Sequence, residues 1–336
     1  MKRRYSHIVY TCLAVVILAS CNPHYPDKNF EGSLGYVADD LRVPMLLAVN
    51  DSSLYGMGAF GGDGMSTDSI YVYAFYTPSP EVKGAPGKVD YRERMDAQDD
   101  EAIYCLVDDA DSIGHGKRAC LSSSTSFLHW ADNDVAYYNG GYPKYCYKFF
   151  AYYLDGAVDM GNADALHRDS ASVYYDIEID GTQDLVCGYA ELTEKQKRQS
   201  DLHIEGTCYT AETARRNLFP VFRMKHQLVG LKFGAEIGGA CVKGIPYKGR
   251  FVVAADDVSE MGVEFDYDEL TDFDVEGEEL LLLLPEANQY DLQLQTNVGE
   301  VSATLVLDNG AFEAGHEYEV CIEDDGTIDV KLKSQK

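Results

Sequence analysis

Residues 69–76 read Ser69-Ile70-Tyr71-Val72-Tyr73-Ala74-Phe75-Tyr76, and the order of side chains in this stretch sets the fold class. Tyr71, Tyr73 and Phe75 alternate with Val72 and Ala74. Successive side chains of a strand point to opposite faces, so a period of two in aromatic and β-branched residues marks a strand. The same alternation returns where Val301, Ala303, Leu305 and Leu307 interleave with Ser302, Thr304 and Val306. Similar short runs lie at 43–49, 145–153, 173–179, 184–189, 221–233, 250–255, 280–284 and 318–322, separated by clusters of Gly, Asp, Asn and Ser. Many short strands without a long 3.6-residue period predict an all-β chain of antiparallel sandwiches rather than an α/β fold. One helix is expected at 191–200, polar almost all round and so a connector rather than a core element.

The N-terminus decides the compartment. Lys2, Arg3 and Arg4 precede a largely apolar run from Ile8 to Leu18, which closes on Leu18-Ala19-Ser20-Cys21. A charged start, a short apolar segment and small residues before a cut form a signal peptide. A Cys directly after Leu-Ala-Ser adds a lipobox, whose thiol is acylated before the peptide is removed. Residues 1–20 are then the signal, the mature chain begins at Cys21, and residues 21–41 form a lipidated tether or propeptide. The anchor is lipid, since each buried methylene contributes about 0.8 kcal/mol and several acyl chains hold where one short chain would not. Cleavage removes three cations and takes the net charge from −28 to −31. Such a surface repels nucleic acid and anionic headgroups and keeps an exported protein soluble.

The rest of the chain is long enough for two domains. We place an N-terminal β-sandwich at 42–195, a connector at 196–214 and a C-terminal β-sandwich at 215–336. Beyond Cys12 and Cys21 the cysteines are Cys105, Cys120, Cys146, Cys187, Cys208, Cys241 and Cys321. An odd number without close spacing is no disulfide framework, and several sit in strand-like runs, so most read as buried free thiols. No zinc-ligand spacing is present.

Chemistry-bearing patterns are weak. Gly56-Met57-Gly58-Ala59-Phe60-Gly61 matches the dinucleotide fingerprint in letters but lacks the strand before it and the helix after it, and reads as a loop. Asp272, Asp274, Glu276 and Gly277 imitate the start of a calcium loop, yet Leu283 stands where the bidentate carboxylate is needed. The twelve acidic residues from Asp256 to Glu279 therefore read as a solvated face. His203 near Cys208 lacks an orienting third group. No catalytic residue, metal site or cofactor is assigned. The 25 Tyr and 13 Phe mostly fall in alternating strands, where core packing accounts for them, and glycan binding is kept as the alternative function.

Four segments in order resemble the fimbrillin-like lipoproteins of the Bacteroidales, subunits and anchors of the surface fimbriae called type V pili. They are Ser69 to Tyr76; Tyr147-Lys148-Phe149-Phe150-Ala151-Tyr152-Tyr153; Asp184-Leu185-Val186-Cys187-Gly188 followed by His226-Gln227-Leu228-Val229-Gly230-Leu231-Lys232-Phe233; and Leu284-Pro285 followed by Glu313-Ala314-Gly315-His316-Glu317-Tyr318. The resemblance implies two tandem transthyretin-like Greek-key β-sandwiches, with Asp184, His226, Leu228, Phe233, Gly315 and Tyr318 as structural motif residues. It also implies an outer-membrane, surface-exposed or fimbrial location. Other fimbrial subunits would be joined by strand exchange, and a host or bacterial surface ligand would be bound in adhesion. Stalk subunits of that family are cut after an Arg by a trypsin-like protease, which releases the first strand and opens a groove for a neighbour's strand. Here the candidate processing residue is Arg42, and no Lys or Arg follows until Lys83. A cut at Arg42 would release only the tether unless 34–41 is the discarded strand. Both a stalk role and an uncleaved accessory, tip or anchor role stay open. The C-terminal run 327–332 reads as a modest donor strand.

Overall fold

Short β-branched and aromatic runs become short strands. The computed structural model describes residues 43–49, 70–78, 104–105, 113–121, 127–131, 135–138, 145–192, 196, 209–215, 217–277, 280–285, 287–307, 310–323 and 326–333. In chain order the strands begin with β1 (Val43–Pro44), β2 (Leu47–Val49), β3 (Ile70–Pro78), β4 (Tyr104–Cys105), β5 (Lys117–Leu121) and β6 (Phe127–Trp130). Next come β7 (Tyr137–Tyr138), β8 (Tyr145–Tyr153), β9 (Leu166–Arg168), β10 (Ser172–Glu178) and β11 (Val186–Ala190). A five-residue helix α1 (Ala211–Arg215) precedes β12 (Val221–His226), β13 (Val229–Phe233), β14 (Ile237–Pro246), β15 (Lys248–Ala255) and β16 (Gly262–Phe265). The chain ends with β17 (Leu270–Glu276), β18 (Leu280–Leu283), β19 (Gln289–Thr296), β20 (Gly299–Val306), β21 (Glu317–Ile322) and β22 (Ile328–Leu332). The fold is all-β, as the alternation predicts.

The N-terminal sheet closes on itself. β3 pairs with β5, then follow β6, β2, β12, β11 and β8, and β8 returns to pair with β3; β4 adds to the outer part of β3. Closure removes free edges from these seven strands. Alternation sorts each strand between two cores. Ile70, Val72 and Ala74 of β3 and Tyr147, Phe149, Ala151 and Tyr153 of β8 fill the ring with Leu47, Trp130, Val186 and Phe222. Their neighbours Tyr73, Phe75, Phe150 and Tyr152 face outward into a second core, shared with Val173, Tyr175 and Ile177 of β10 and Phe251 and Val253 of β15. Polar groups on this buried outer face are bonded. The Tyr73 hydroxyl donates to the Gly114 carbonyl at 2.9 Å, the Tyr152 and Tyr175 hydroxyls lie 2.6 Å apart, and Tyr175 lies 2.7 Å from His115 Nδ1.

β9, β10, β15 and β16 form a four-stranded sheet. Two further four-stranded sheets, β18-β13-β21-β22 and β17-β14-β19-β20, enclose Leu231, Phe233, Leu282, Val242, Phe273, Leu292 and Val320 in that same second core. Strands on either side of 196–214 are interleaved: β12 completes the ring beside β11 and β2, and β10 pairs with β15. The described residues form one compact unit.

Several expectations change. The run 43–49 is two strands, since Met45 and Leu46 carry the chain from β7 to a different partner, β6. The run 221–233 breaks at Gln227-Leu228, and its halves belong to different sheets. Pairing is not purely antiparallel, because β2–β12 and β13–β21 are parallel. The expected helix at 191–200 lies outside the described residues except for Glu191, Leu192 and Gln196, and the sequence gives no signal for α1. Cys120, Cys187, Cys241 and Cys321 carry free thiols, whereas Cys146, read as a buried thiol, is disulfide-bonded; sequence spacing does not reveal which distant thiols meet.

Two outcomes are expected. A Cβ on Gly188 would stand 2.4 Å from the Arg223 carbonyl across the β11–β12 ladder. Gly188→Ala should therefore cost about 1–3 kcal/mol through overpacking, read as a lowered midpoint in thermal unfolding by circular dichroism; an unchanged midpoint would show that the ladder yields freely. Burial also holds the Tyr138, Tyr152 and Tyr175 phenols well above their usual pKa and pushes the Cys187 thiol up to about 12. The unfolded chain ionises such groups first, at about pH 8.5 for Cys and 10 for Tyr. The contribution of these four groups should thus be constant below pH 8 and be lost as pH rises toward 12. Urea midpoints across this range test it, and a rising midpoint would contradict it.

Candidate functional site

Two places bring the sequence-derived residues together. The first is the seam where the ring hands the chain to the C-terminal sandwich. β12 ends at His226, which stands opposite Val186 of β11. Its Nδ1 lies 3.0 and 2.8 Å from the two carboxylate oxygens of Asp184, and both side chains are about nine-tenths buried. The Asp184 amide donates to Asp155 at 2.9 Å, and the Tyr153 hydroxyl donates to the other Asp155 oxygen at 2.6 Å. Burial first, and then the Asp155 carboxylate, hold the Tyr153 phenol neutral by raising its pKa. The ends of β8 and β12 and the segment that leads into β11 are thereby tied by partly buried polar bonds.

The same seam grips the sandwich. Gly315 donates its amide to Leu228 O at 2.8 Å, and Gly230 donates to His316 O at 2.9 Å. Gly315 has φ of +77°, a conformation that glycine adopts without strain, and a Cβ added there would meet the His226 Cβ at 3.6 Å, an ordinary van der Waals contact. Leu228 and Phe233 are buried in the second core. The Tyr318 hydroxyl accepts the Glu313 amide at 3.1 Å while its ring meets Phe312 edge-on at 4.9 Å. Asp184, His226, Leu228 and Gly315 thus make one joint, and Phe233 and Tyr318 run from it along the paired strands β13 and β21. Sequence order alone did not show that Asp184 bonds His226. Asp155, the second carboxylate of the joint, carries a positive φ of 45° and has no signal beyond its place before Gly156.

The second place is the seat of the first strands. Met45 donates its amide to Ala136 O at 2.8 Å and accepts the Trp130 indole N–H at 2.9 Å. Ala48 donates to Pro220 O at 3.0 Å. β2 sits between β6 and β12, so its three residues close the ring, with Leu47 and Val49 buried inside. Arg42 immediately precedes this segment. Arg42 itself, Cys21, Gly56 to Gly61, His203 and Cys208 lie outside the described residues.

The acidic run resolves into β17, where Asp272, Asp274 and Glu276 point outward and Phe273 and Val275 inward. Asp272 accepts the Gly244 amide and the Lys243 ammonium, each at 3.0 Å. Among the described residues no group of three or more His, Cys, Asp or Glu is arranged to hold a metal ion.

No family model matches the chain, and no curated protein does. Solved structures of similar shape do exist. A candidate cell adhesion protein of Bacteroides uniformis shares 14% identity over 88% of this chain and 98% of its own, with a TM-score of 0.49. A fimbrial assembly protein of Parabacteroides distasonis shares 10% over 88% of this chain and 100% of its own, with a TM-score of 0.40. The tip fimbrial protein Mfa3 of Porphyromonas gingivalis, truncated at its C-terminus, shares 8% over 86% of this chain and 98% of its own, with a TM-score of 0.36.

If the Asp184–His226 bond holds the seam, Asp184→Ala should cost roughly 1.5–3 kcal/mol, the value of a buried hydrogen bond to a charged group. A double-mutant cycle with His226→Ala should give a coupling above about 1 kcal/mol. A coupling near zero would show that the two side chains are merely neighbours.

Proposed function

We propose that this chain is a lipid-anchored outer-membrane surface protein, a structural and adhesive subunit of the fimbrial kind built on tandem transthyretin-like sandwiches. It carries no catalytic centre and serves in an uncut accessory, tip or anchor position. One observation carries the choice of position: the ring is closed by β2 (Leu47–Val49), which lies after Arg42. A strand acceptor needs unpaired edges beside an apolar groove. Cleavage after Arg42 leaves β1 and β2 seated between their partners. No Lys or Arg lies between Arg42 and β3, so a trypsin-like protease has no later site from which to release them. The ring therefore stays shut, as suits a subunit that ends or roots an assembly.

The lipobox at Cys21 supports the anchored location, and the order of the four motif segments supports the fimbrial class. The glycan-binding alternative needs an exposed aromatic face. Among the described residues the large exposed aromatics are Phe127, Tyr137 and Tyr267, each on a different element, while Trp130 is buried. This scatter favours the structural reading.

Intact mass and N-terminal sequencing of the protein from its native membrane test the proposal. The expected product starts at an acylated Cys21 with the Arg42–Val43 bond whole, and Cys21→Ala should move the protein out of the detergent phase. Filament shafts made of chains that start at Val43 would overturn the uncut role. Trp130 supplies a second reading, because it is the sole Trp and bonds Met45. Trypsin cleavage at Arg42 in vitro should leave its emission unchanged; a shift to longer wavelength would mean that 43–49 leaves the ring.

A further inference from the structure

We infer that the disulfide at Cys146 is made with Cys208, and that it fastens the connector to the ring where β8 runs past the end of β11. Cys146 lies half-buried in β8 and is disulfide-bonded. Cys120, Cys187, Cys241 and Cys321 carry free thiols, so its partner is one of Cys12, Cys21, Cys105 and Cys208. On the lipoprotein reading above, on which this step rests, Cys12 leaves with the signal and Cys21 is acylated. Two candidates remain.

Strand register decides between them. Phe75 and Tyr76 of β3 pair with β4 on one edge and with β8 on the other. Cys105 stands opposite Phe75 on the first edge, and Cys146 stands opposite Thr77 on the second. Neighbouring strands lie about 4.8 Å apart, so β4 and β8 are separated by about 9.6 Å even before the offset along β3 is added. A disulfide joins Cα atoms no more than about 7 Å apart. Cys105 is therefore out of reach. Cys208 directly precedes Tyr209, whose amide donates to Tyr147 O at 3.0 Å and whose carbonyl accepts the Tyr147 amide at 2.8 Å. Tyr147 and Tyr209 both belong to the core inside the ring. Alternation turns the residue before each of them to the opposite face, which makes Cys146 and Cys208 diagonal neighbours about 7–8 Å apart, with their Cβ atoms closer. The pairing at Tyr209 is a single isolated bridge, so no ladder sets that spacing and a small backbone adjustment brings the two sulfurs together.

The place is one that gains from a clip. β11 pairs with β8 only from Phe149 to Tyr153. The β8 edge from Tyr145 to Lys148 loses that neighbour, and unpaired edges invite other chains. Among the described residues Tyr209 is what covers it. Behind Tyr209 the chain is set at once: Thr210 and Thr213 bond each other's amides at 2.9 and 3.1 Å, and α1 leads to β12. Export supplies the oxidising setting. The Cys146 thiolate attacks the disulfide of an exported thiol oxidant and displaces one of its thiolates. The Cys208 thiolate then attacks the Cys146 sulfur of the mixed disulfide and displaces the other. Two electrons pass to the oxidant, which leaves as a dithiol carrying the two thiol protons.

The test is peptide mapping of the full chain from the outer membrane, alkylated without reduction and digested with trypsin. The expected product joins residues 145–148 to residues 199–215, with residues 95–117 recovered alkylated at Cys105. A link from Cys146 to 95–117, a link between two chains or an alkylated Cys146 would each overturn the inference and leave the lipid anchor standing. A link to Cys21 would overturn both. Thermal unfolding gives a second reading. Cys146→Ser, Cys208→Ser and the double variant should lower the midpoint equally, by at least ~5 °C, and reduction should bring the unaltered chain down to the same value. Cys105→Ser should leave it in place. A fall with Cys105→Ser and none with Cys208→Ser would contradict the pairing.

Discussion

The pairing of β3 with β8 is the constraint on which the rest of the molecule depends. It runs in register from Tyr71 opposite Tyr152 to Pro78 opposite Tyr145. Because side chains alternate, one ladder supplies apolar groups to two cores at once. Ile70, Val72, Ala74, Phe149 and Ala151 go inside the ring, and Tyr73, Phe75, Phe150 and Tyr152 go to the other side. A one-residue slip would exchange these sets and put large aromatics where Ala74 and Ala151 now lie. A sheet buried on both faces must satisfy its polar atoms locally, and the hydroxyls of Tyr73, Tyr152 and Tyr175 do so through Gly114 and His115.

From this wall the chain is built outward by interleaving. β10 packs on the wall and then pairs with β15, so the second core extends unbroken to the C-terminal sheets. The joint at Asp184, His226 and Gly315 lies where that core turns away from the ring.

Much of this was legible in the residue order, and the gaps have physical causes. β8 runs from Tyr145 to Tyr153 as its aromatic alternation indicates. β17 was hidden because Asp272, Asp274 and Glu276 read as a solvated acidic stretch. They are solvated, but the interleaved Phe273 and Val275 are the signal of a half-buried strand. β14 was hidden by its glycines, Gly238, Gly239 and Gly244, which weaken strand propensity where the strand bends between two neighbours. Of the site, the motif residues were identifiable but their meeting was not, since Asp184 and His226 are separated by 42 positions.

The sequence by itself determined the all-β class, the net negative charge and the identity of the strands with the clearest alternation. These follow from local period and composition, which need no knowledge of partners. Only the tertiary structure decided that β2 closes a ring, that 221–233 is divided between two sheets, and that β10 joins β15. Strand pairing is a long-range choice among many compatible edges. It is settled by which faces can be buried together, and that sum is made over the whole chain.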